Sequence, residues 1–316
     1  MLYQPKLPHQ STGLYLTDGG LETTLVFLEG HDLPQFAAYP LLHNAKGYRA
    51  LLDYYRRYLS IAEKNGASFI LESPTWRANP DWIEKIEYPG TSITDSVEIA
   101  IRLLDEARNE FLQRIPNIVL SGCIGPRGDG YNPQNQMSIL EAKKYHSTQI
   151  AAFKQTAVNI ISALTMNYAE EAAGIAMAAA EANFPVVISF TVETHGKLPT
   201  GMGLEEAIHF VDHNVSVPPI YYMINCAHPT HFAEQLKTGR NQAWTKRIQG
   251  IRANASCKSH AELDEATELD RGNPKEFGAA HKNLKIDFPH LNVFGGCCGT
   301  DEEHIHEMVS QFNLTE

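Results

Sequence analysis

The chain predicts an α/β fold, a (β/α)8 TIM barrel closed as a single domain over residues 1–316. Three observations carry that expectation. Short apolar, β-branched runs alternate with helix-length segments, the runs are continuously hydrophobic as parallel strands covered on both faces require, and counting yields eight strand-then-helix units. A chain of 316 residues that is 43% hydrophobic can bury a large core, and barrels of this size commonly fold as one domain. A doubly wound open sheet is the rival architecture, but no Gly-x-Gly-x-x-Gly turn follows the first strand, where Asp18-Gly19-Gly20 reads as a simple turn.

Strands are expected at 14–20, 68–73, 118–122, 159–164, 186–191, 220–226, 248–253 and 292–296. After the first, Leu51, Leu52, Tyr55, Leu59 and Ala62 recur at helical spacing with Arg49, Arg56 and Arg57 on the wet side. After the second, Val97, Ala100, Leu103, Leu104, Ala107 and Phe111 define a helix with Thr94 as its cap. The remaining helices fall at about 138–157, 168–182, 203–213, 229–238, 274–282 and 301–312. Residues 73–92, with Pro74, Trp76, Pro80, Trp82 and Pro89, are too many for a simple connector and are placed to cover the barrel mouth. The acidic run 262–272 reads as a solvated loop, and His304 and His306 as surface residues of the last helix.

The balance of 26 basic and 37 acidic residues, net charge −11, disfavours nucleic acid and anionic membranes as partners and favours small soluble ligands. No stretch approaches the ~18 apolar residues of a membrane helix, and the N-terminus lacks a basic segment followed by an apolar core, so a cytoplasmic protein is expected. Homo-oligomerisation is left open. Five cysteines in a chain of this length do not form the disulfide framework of a small secreted domain and are available as thiols or metal ligands.

Chemistry concentrates on three of them. Cys297 and Cys298 sit in Gly295-Gly296-Cys297-Cys298-Gly299-Thr300 after one apolar run, and Cys226 ends another. In a barrel both places are C-terminal strand ends, where active sites gather. Three thiolates are soft ligands suited to Zn2+, and a missing fourth ligand leaves a position for substrate. Such a centre holds a substrate thiol deprotonated yet nucleophilic, a device for alkylating sulfur. His228, two residues beyond Cys226, can also bind metal but would close the open position; Cys123 and Cys257 are read as structural. No serine-histidine-acid order or Walker loop stands out, which leaves hydrolysis and phosphoryl transfer unsupported.

These residues resemble the zinc-dependent homocysteine S-methyltransferases over nearly the whole chain. Asp18-Gly19-Gly20 is similar to the family's N-terminal signature, Asn225-Cys226 to its first zinc ligand, and Gly295 to Thr300 to its second and third. Weaker similarities lie at Thr75-Trp76, Gly122 to Pro126, Ser189-Phe190-Thr191 and Asn254. The resemblance implies zinc on Cys226, Cys297 and Cys298, which activate the acceptor thiol, and a substrate site drawn from Asp18, Gly19, Glu72, Thr75, Glu193, Asn225 and Asn254. It implies methyl transfer to homocysteine, giving methionine. S-methylmethionine or S-adenosylmethionine is the donor class, because members using folate or cobalamin carry further domains and betaine users a longer C-terminal extension. One position departs: Leu164 stands where the family has a glutamate that holds the substrate amine, so either Glu72 or Glu193 substitutes or the acceptor is another thiol. From a different class comes a catalytically silent barrel that stores or senses zinc.

Overall fold

The computed structural model describes residues 3–89 and 91–313. Eight parallel strands close on themselves in sequence order: β1 (Tyr15–Leu16), β2 (Ser68–Glu72), β3 (Ile118–Ile124), β4 (Ile160–Met166), β5 (Val186–Phe190), β6 (Tyr221–Asn225), β7 (Ile248–Ala253) and β8 (Val293–Gly296). Each is followed by a covering helix: α1 (Ala45–Lys64), α2 (Ile93–Phe111), α3 (Ile139–Phe153), α4 (Ala169–Glu181), α5 (Leu204–Asn214), α6 (Pro229–Thr238), α7 (Pro274–Asp287) and α8 (Glu302–Asn313). The (β/α)8 barrel is therefore the observed architecture.

The continuous hydrophobicity of the strands has the expected cause. Phe69, Leu71, Ile118, Leu120, Ile161 and Ile188 join the layer between strands and helices, while Tyr15, Ile70, Val119, Ile160, Val187, Tyr221, Met223 and Val293 form a second cluster. Burying the first layer is the main source of stability, at about 25 cal/mol per Å² of apolar surface. Among the described residues no helix is long and apolar enough to cross a membrane.

Local chemistry fixes the ends. Asn44 caps α1 by accepting from Gly47 N at 2.8 Å, and Ser138 caps α3 with Glu141 closing the reciprocal bond. For α2 the cap is Ser92, not Thr94: Ser92 Oγ accepts from Asp95 N at 3.0 Å, and Thr94 lies inside the first turn. β1 is shorter than expected because residues 18–20 turn away to meet the segment after β8, where Gly20 N donates to Thr300 O at 3.0 Å. β4 runs two residues further than expected and carries a register shift between Ala163 and Met166, with Thr165 at φ 63°.

His304 also departs from expectation. It is fully buried on α8, its ring nitrogens 2.8 Å from Asp301 Oδ1 and 2.8 Å from Arg271 O, whereas His306 is exposed as anticipated. Arg271 in turn pairs with Asp301, so this histidine ties the loop after residue 262 to the start of α8.

Candidate metal centre and substrate cavity

Cys226 follows the last residue of β6 and adopts a left-handed backbone, φ 56°, uncommon outside glycine. Neighbouring strand ends impose it. Asn225 Oδ1 accepts from Thr165 N at 2.8 Å and Ser189 Oγ at 2.6 Å, and Asn225 Nδ2 donates to Thr165 Oγ1 at 2.8 Å, locking β4, β5 and β6 together. Cys226 N donates to Arg252 O at 3.1 Å. On the other side, Cys297 N donates to Ala253 O at 2.8 Å and Thr300 Oγ1 donates to Cys297 O at 2.7 Å. Glycine is required at Gly295 and Gly296 because a Cβ there would overlap the side chains of Thr17 and Thr300.

The three sulfurs meet. All Sγ atoms of Cys226, Cys297 and Cys298 lie within 4.8 Å of one another, with Cys226 and Cys298 at 3.5 Å, and no disulfide joins them. Tetrahedral zinc with Zn–S bonds of about 2.3 Å sets sulfurs roughly 3.8 Å apart, so the donors fit the ion in type, number and spacing. Hydrogen bonds from Cys226 and Cys298, aided by Arg252, draw the Cys297 thiol well below its ordinary pKa. Tyr131 places its hydroxyl 2.9 Å from Cys226 Sγ and 3.6 Å from Cys298 Sγ. Its ring stacks on His260 at 4.0 Å, and His260 lies 2.7 Å from Cys226 O and 3.0 Å from Glu193.

The sulfurs open into a cavity of about 380 Å³ that Asp18, Gly19, Glu72, Leu164 and Arg252 also line. Arg252, from β7, donates through Nη2 to Asp18 Oδ1 at 2.6 Å and through Nε to Gly296 O at 3.1 Å. Tyr54 donates to Asp18 Oδ2 at 3.2 Å. Burial raises the Asp18 carboxyl, Arg252 opposing it. Burial likewise pushes Glu72 up to about 7 against the pull of Arg252, and Glu22, further out in the wall, up to about 7. Desolvation works against the charge of Arg252, but Asp18 and Glu72 hold its pKa above the ordinary value.

The sequence profile described as Homocysteine S-methyltransferase matches residues 15–312. The chain belongs to the homocysteine S-methyltransferase family. Members of this family are zinc-dependent enzymes that methylate homocysteine. No curated protein sequence matches significantly. Among solved structures, the metallated form of the homocysteine methyltransferase MmuM from Escherichia coli is similar, with TM-score 0.71 and 17% identity over 96% of this chain and 97% of that one. Its oxidized form gives TM-score 0.71 and 17% identity over 97% and 100%, and its apo form 0.66 and 16% over 96% and 98%. At these identities the likeness concerns the fold.

The other residues that the resemblance places at the substrate site of this methyltransferase are engaged as follows. Thr75 is fully buried and spends its hydroxyl on Cys123 O at 2.8 Å, tying β2 to β3. Glu193 turns to His260 and away from the cavity wall. Asn254 is buried beneath the Cys226 loop, its N–H donating to Ala227 O at 3.2 Å. Asn225 reaches the cavity, but its polar atoms are committed to strand ends. His228 caps α6 and stands outside the sulfur cluster. Cys123 is buried in the cavity wall and Cys257 is exposed.

Two loops contribute to the cavity wall, the first in keeping with its expected place over the barrel mouth and the second against its expected role as a solvated loop. Of residues 73–92, Trp76 and Arg77 enter the cavity wall while Pro80–Ile86 forms a helix. The acidic run is a wall as well: it begins in the helix His260–Asp264, and Leu263, Asp264, Glu268, Leu269 and Asp270 line the cavity. Residues missed altogether are Tyr131, Arg252 and His260. Arg252 had a signal, a lone charge within the apolar run 248–253; the other two had none.

Proposed function

We propose that this methyltransferase moves a methyl group from a sulfonium donor, S-methylmethionine or S-adenosylmethionine, to the thiol of homocysteine, giving methionine, with zinc held by Cys226, Cys297 and Cys298. The carrying observation is the convergence of three thiols from two strand ends in the wall of one cavity. That a similar Escherichia coli homocysteine methyltransferase occurs in a metallated form supports the metal.

When bound, zinc supplies Lewis acidity that keeps an acceptor sulfur deprotonated and nucleophilic near neutral pH. The chain supplies the rest. The Asn225 lock and the Arg252 bonds hold Cys226 and the 295–300 turn in place, so little reorganisation accompanies binding. Tyr131 covers one side of the Cys226–Cys298 pair against water. The acceptor sulfur forms its S–CH3 bond as the donor's breaks; the donor leaves as a neutral thioether and the thiol proton passes to solvent. Asp129, Asp264, Glu268 and Asp270 around the cavity favour a cationic donor, and the aromatic residues Phe27, Trp76 and Tyr131 line the same cavity.

One observation favours a second reading. Leu164 lines the cavity and cannot pair with an ammonium, which suits a different thiol acceptor. A panel of thiols with S-methylmethionine separates the two, since preference for an acceptor without an amino acid head group contradicts homocysteine. For the centre itself, Cys298→Ser is expected to lose stoichiometric zinc and methionine formation together. Full turnover with zinc retained in that variant contradicts the assignment.

A further inference from the structure

Homocysteine carries an ammonium and a carboxylate beside its thiol, and the cavity must receive both. Asp18 is already engaged through both oxygens, Oδ1 accepting from Arg252 at 2.6 Å and Oδ2 from Tyr54 at 3.2 Å. Leu164 contributes only carbon. Facing each other in the same wall are two groups that each keep one buried atom without a partner. Glu72 Oε2 is buried without a hydrogen bond within the protein, and so is Arg252 Nη1. Arg252 Nη1 lies 3.9 Å from Glu72 Oε1, close enough for attraction and too far for a hydrogen bond.

We propose that Glu72 and Arg252 together form the receptor for the zwitterionic head group of the acceptor thiol, the ammonium on Glu72 Oε2 and the carboxylate on Arg252 Nη1. The inference rests on the homocysteine reading above. Arg252 is prepared for this task because its Nε and Nη2 are already fixed on Gly296 O and Asp18, which leaves Nη1 as the one free edge of a planar group held by three strands. The charge count agrees. Asp18 and Arg252 balance each other, which leaves the Glu72 carboxylate for the ammonium, and the ammonium and carboxylate of the head group cancel. A thiol acid lacking the amine would bring a second anion to Glu72, and a thiol amine lacking the acid would leave Arg252 Nη1 unpaired. Glu72 thus supplies the carboxylate that Leu164 cannot, from β2 instead of β4, and is a specificity residue rather than a catalytic one.

The test is calorimetric titration of the zinc-loaded full chain with L-homocysteine, 4-mercaptobutyrate, which lacks the ammonium, and 3-mercaptopropylamine, which lacks the carboxylate. Wild type is expected to bind L-homocysteine about tenfold or more tighter than either analogue. In Glu72→Gln the preference over 4-mercaptobutyrate collapses toward unity, and Leu164→Glu placed in that background restores part of it. A purely structural Glu72–Arg252 pair would lower the melting temperature without changing these ratios. Equal binding of the three thiols by wild type overturns the proposal even if no variant folds. Homocysteine binding with its full preference kept in Glu72→Gln removes the head-group assignment alone. Absence of homocysteine binding by zinc-loaded wild type removes the acceptor reading and this proposal with it.

Discussion

Cys226 is held in a backbone conformation that costs a non-glycine residue about 1–2 kcal/mol, and the hydrogen bonds of Asn225 stabilise it there. The same principle governs the buried acids. Glu22 and Glu72 are pushed up to about 7, above the ordinary 4.5, so the folded chain keeps protons that the unfolded chain releases. Their contribution to stability is fully present below about pH 4.5 and lost as pH rises through about 7. The metal-free wild type should therefore lose melting temperature between about pH 5 and about pH 8, and Glu72→Gln, with no proton to release, should lose less. Parallel curves for the two proteins would show that Glu72 does not titrate in this range. At this scale the sequence was legible where a residue type is chemically distinctive. Three cysteines at strand ends announced themselves, and Leu164 was visible as a departure. Tyr131 was not, because a tyrosine in a polar loop carries no sign of the sulfur it will meet from the far side of the barrel. The partners of Thr75 and Glu193, Cys123 O and His260, were likewise invisible, because local sequence does not reveal them.

Elements divide into those that only build the barrel and those whose ends build the site. The Ser92 cap of α2 belongs to the first kind. Ser92→Ala should lower unfolding free energy by about 1 kcal/mol in denaturant titration and leave zinc stoichiometry intact. The end of β8 belongs to the second. A side chain at Gly296 meets Thr300, so Gly296→Ala should cost about 1–3 kcal/mol and release zinc as well, because Cys297 and Cys298 follow directly. Retention of one equivalent of zinc by Gly296→Ala would separate the turn from the metal site. Strand positions were legible because a strand buried on both faces must be continuously apolar. The bulge in β4 was not, since it arises from Asn225 reaching across from β6 to Thr165, a contact between residues far apart in the chain. The acidic run 262–272 has the composition of a solvated loop, yet His304 and Asp301 anchor its far end through Arg271, and its inner side faces the cavity.

Closure of the barrel makes one site of segments that the chain separates. Residue 18 after β1, residue 72 on β2, residue 226 after β6, residue 252 on β7 and residues 297 and 298 after β8 all stand at C-terminal strand ends, and only an eight-stranded parallel cycle places β1 beside β8. That cycle could be counted from sequence, so the meeting of Cys226 with the later pair was expected before any coordinates. The cavity's polarity could not be counted in this way, because it depends on which side chains neutralise one another across the barrel. Asp18 and Arg252, 234 residues apart, are the clearest case. The central claim, that three cysteines assemble a zinc centre serving an acceptor thiol, is tested most directly by calorimetric titration of the zinc-loaded chain with L-homocysteine, using Cys298→Ser as control. The account predicts saturable binding near one equivalent, with a proton released to buffer, in wild type and none in Cys298→Ser. Binding of equal strength in the zinc-free variant would contradict it.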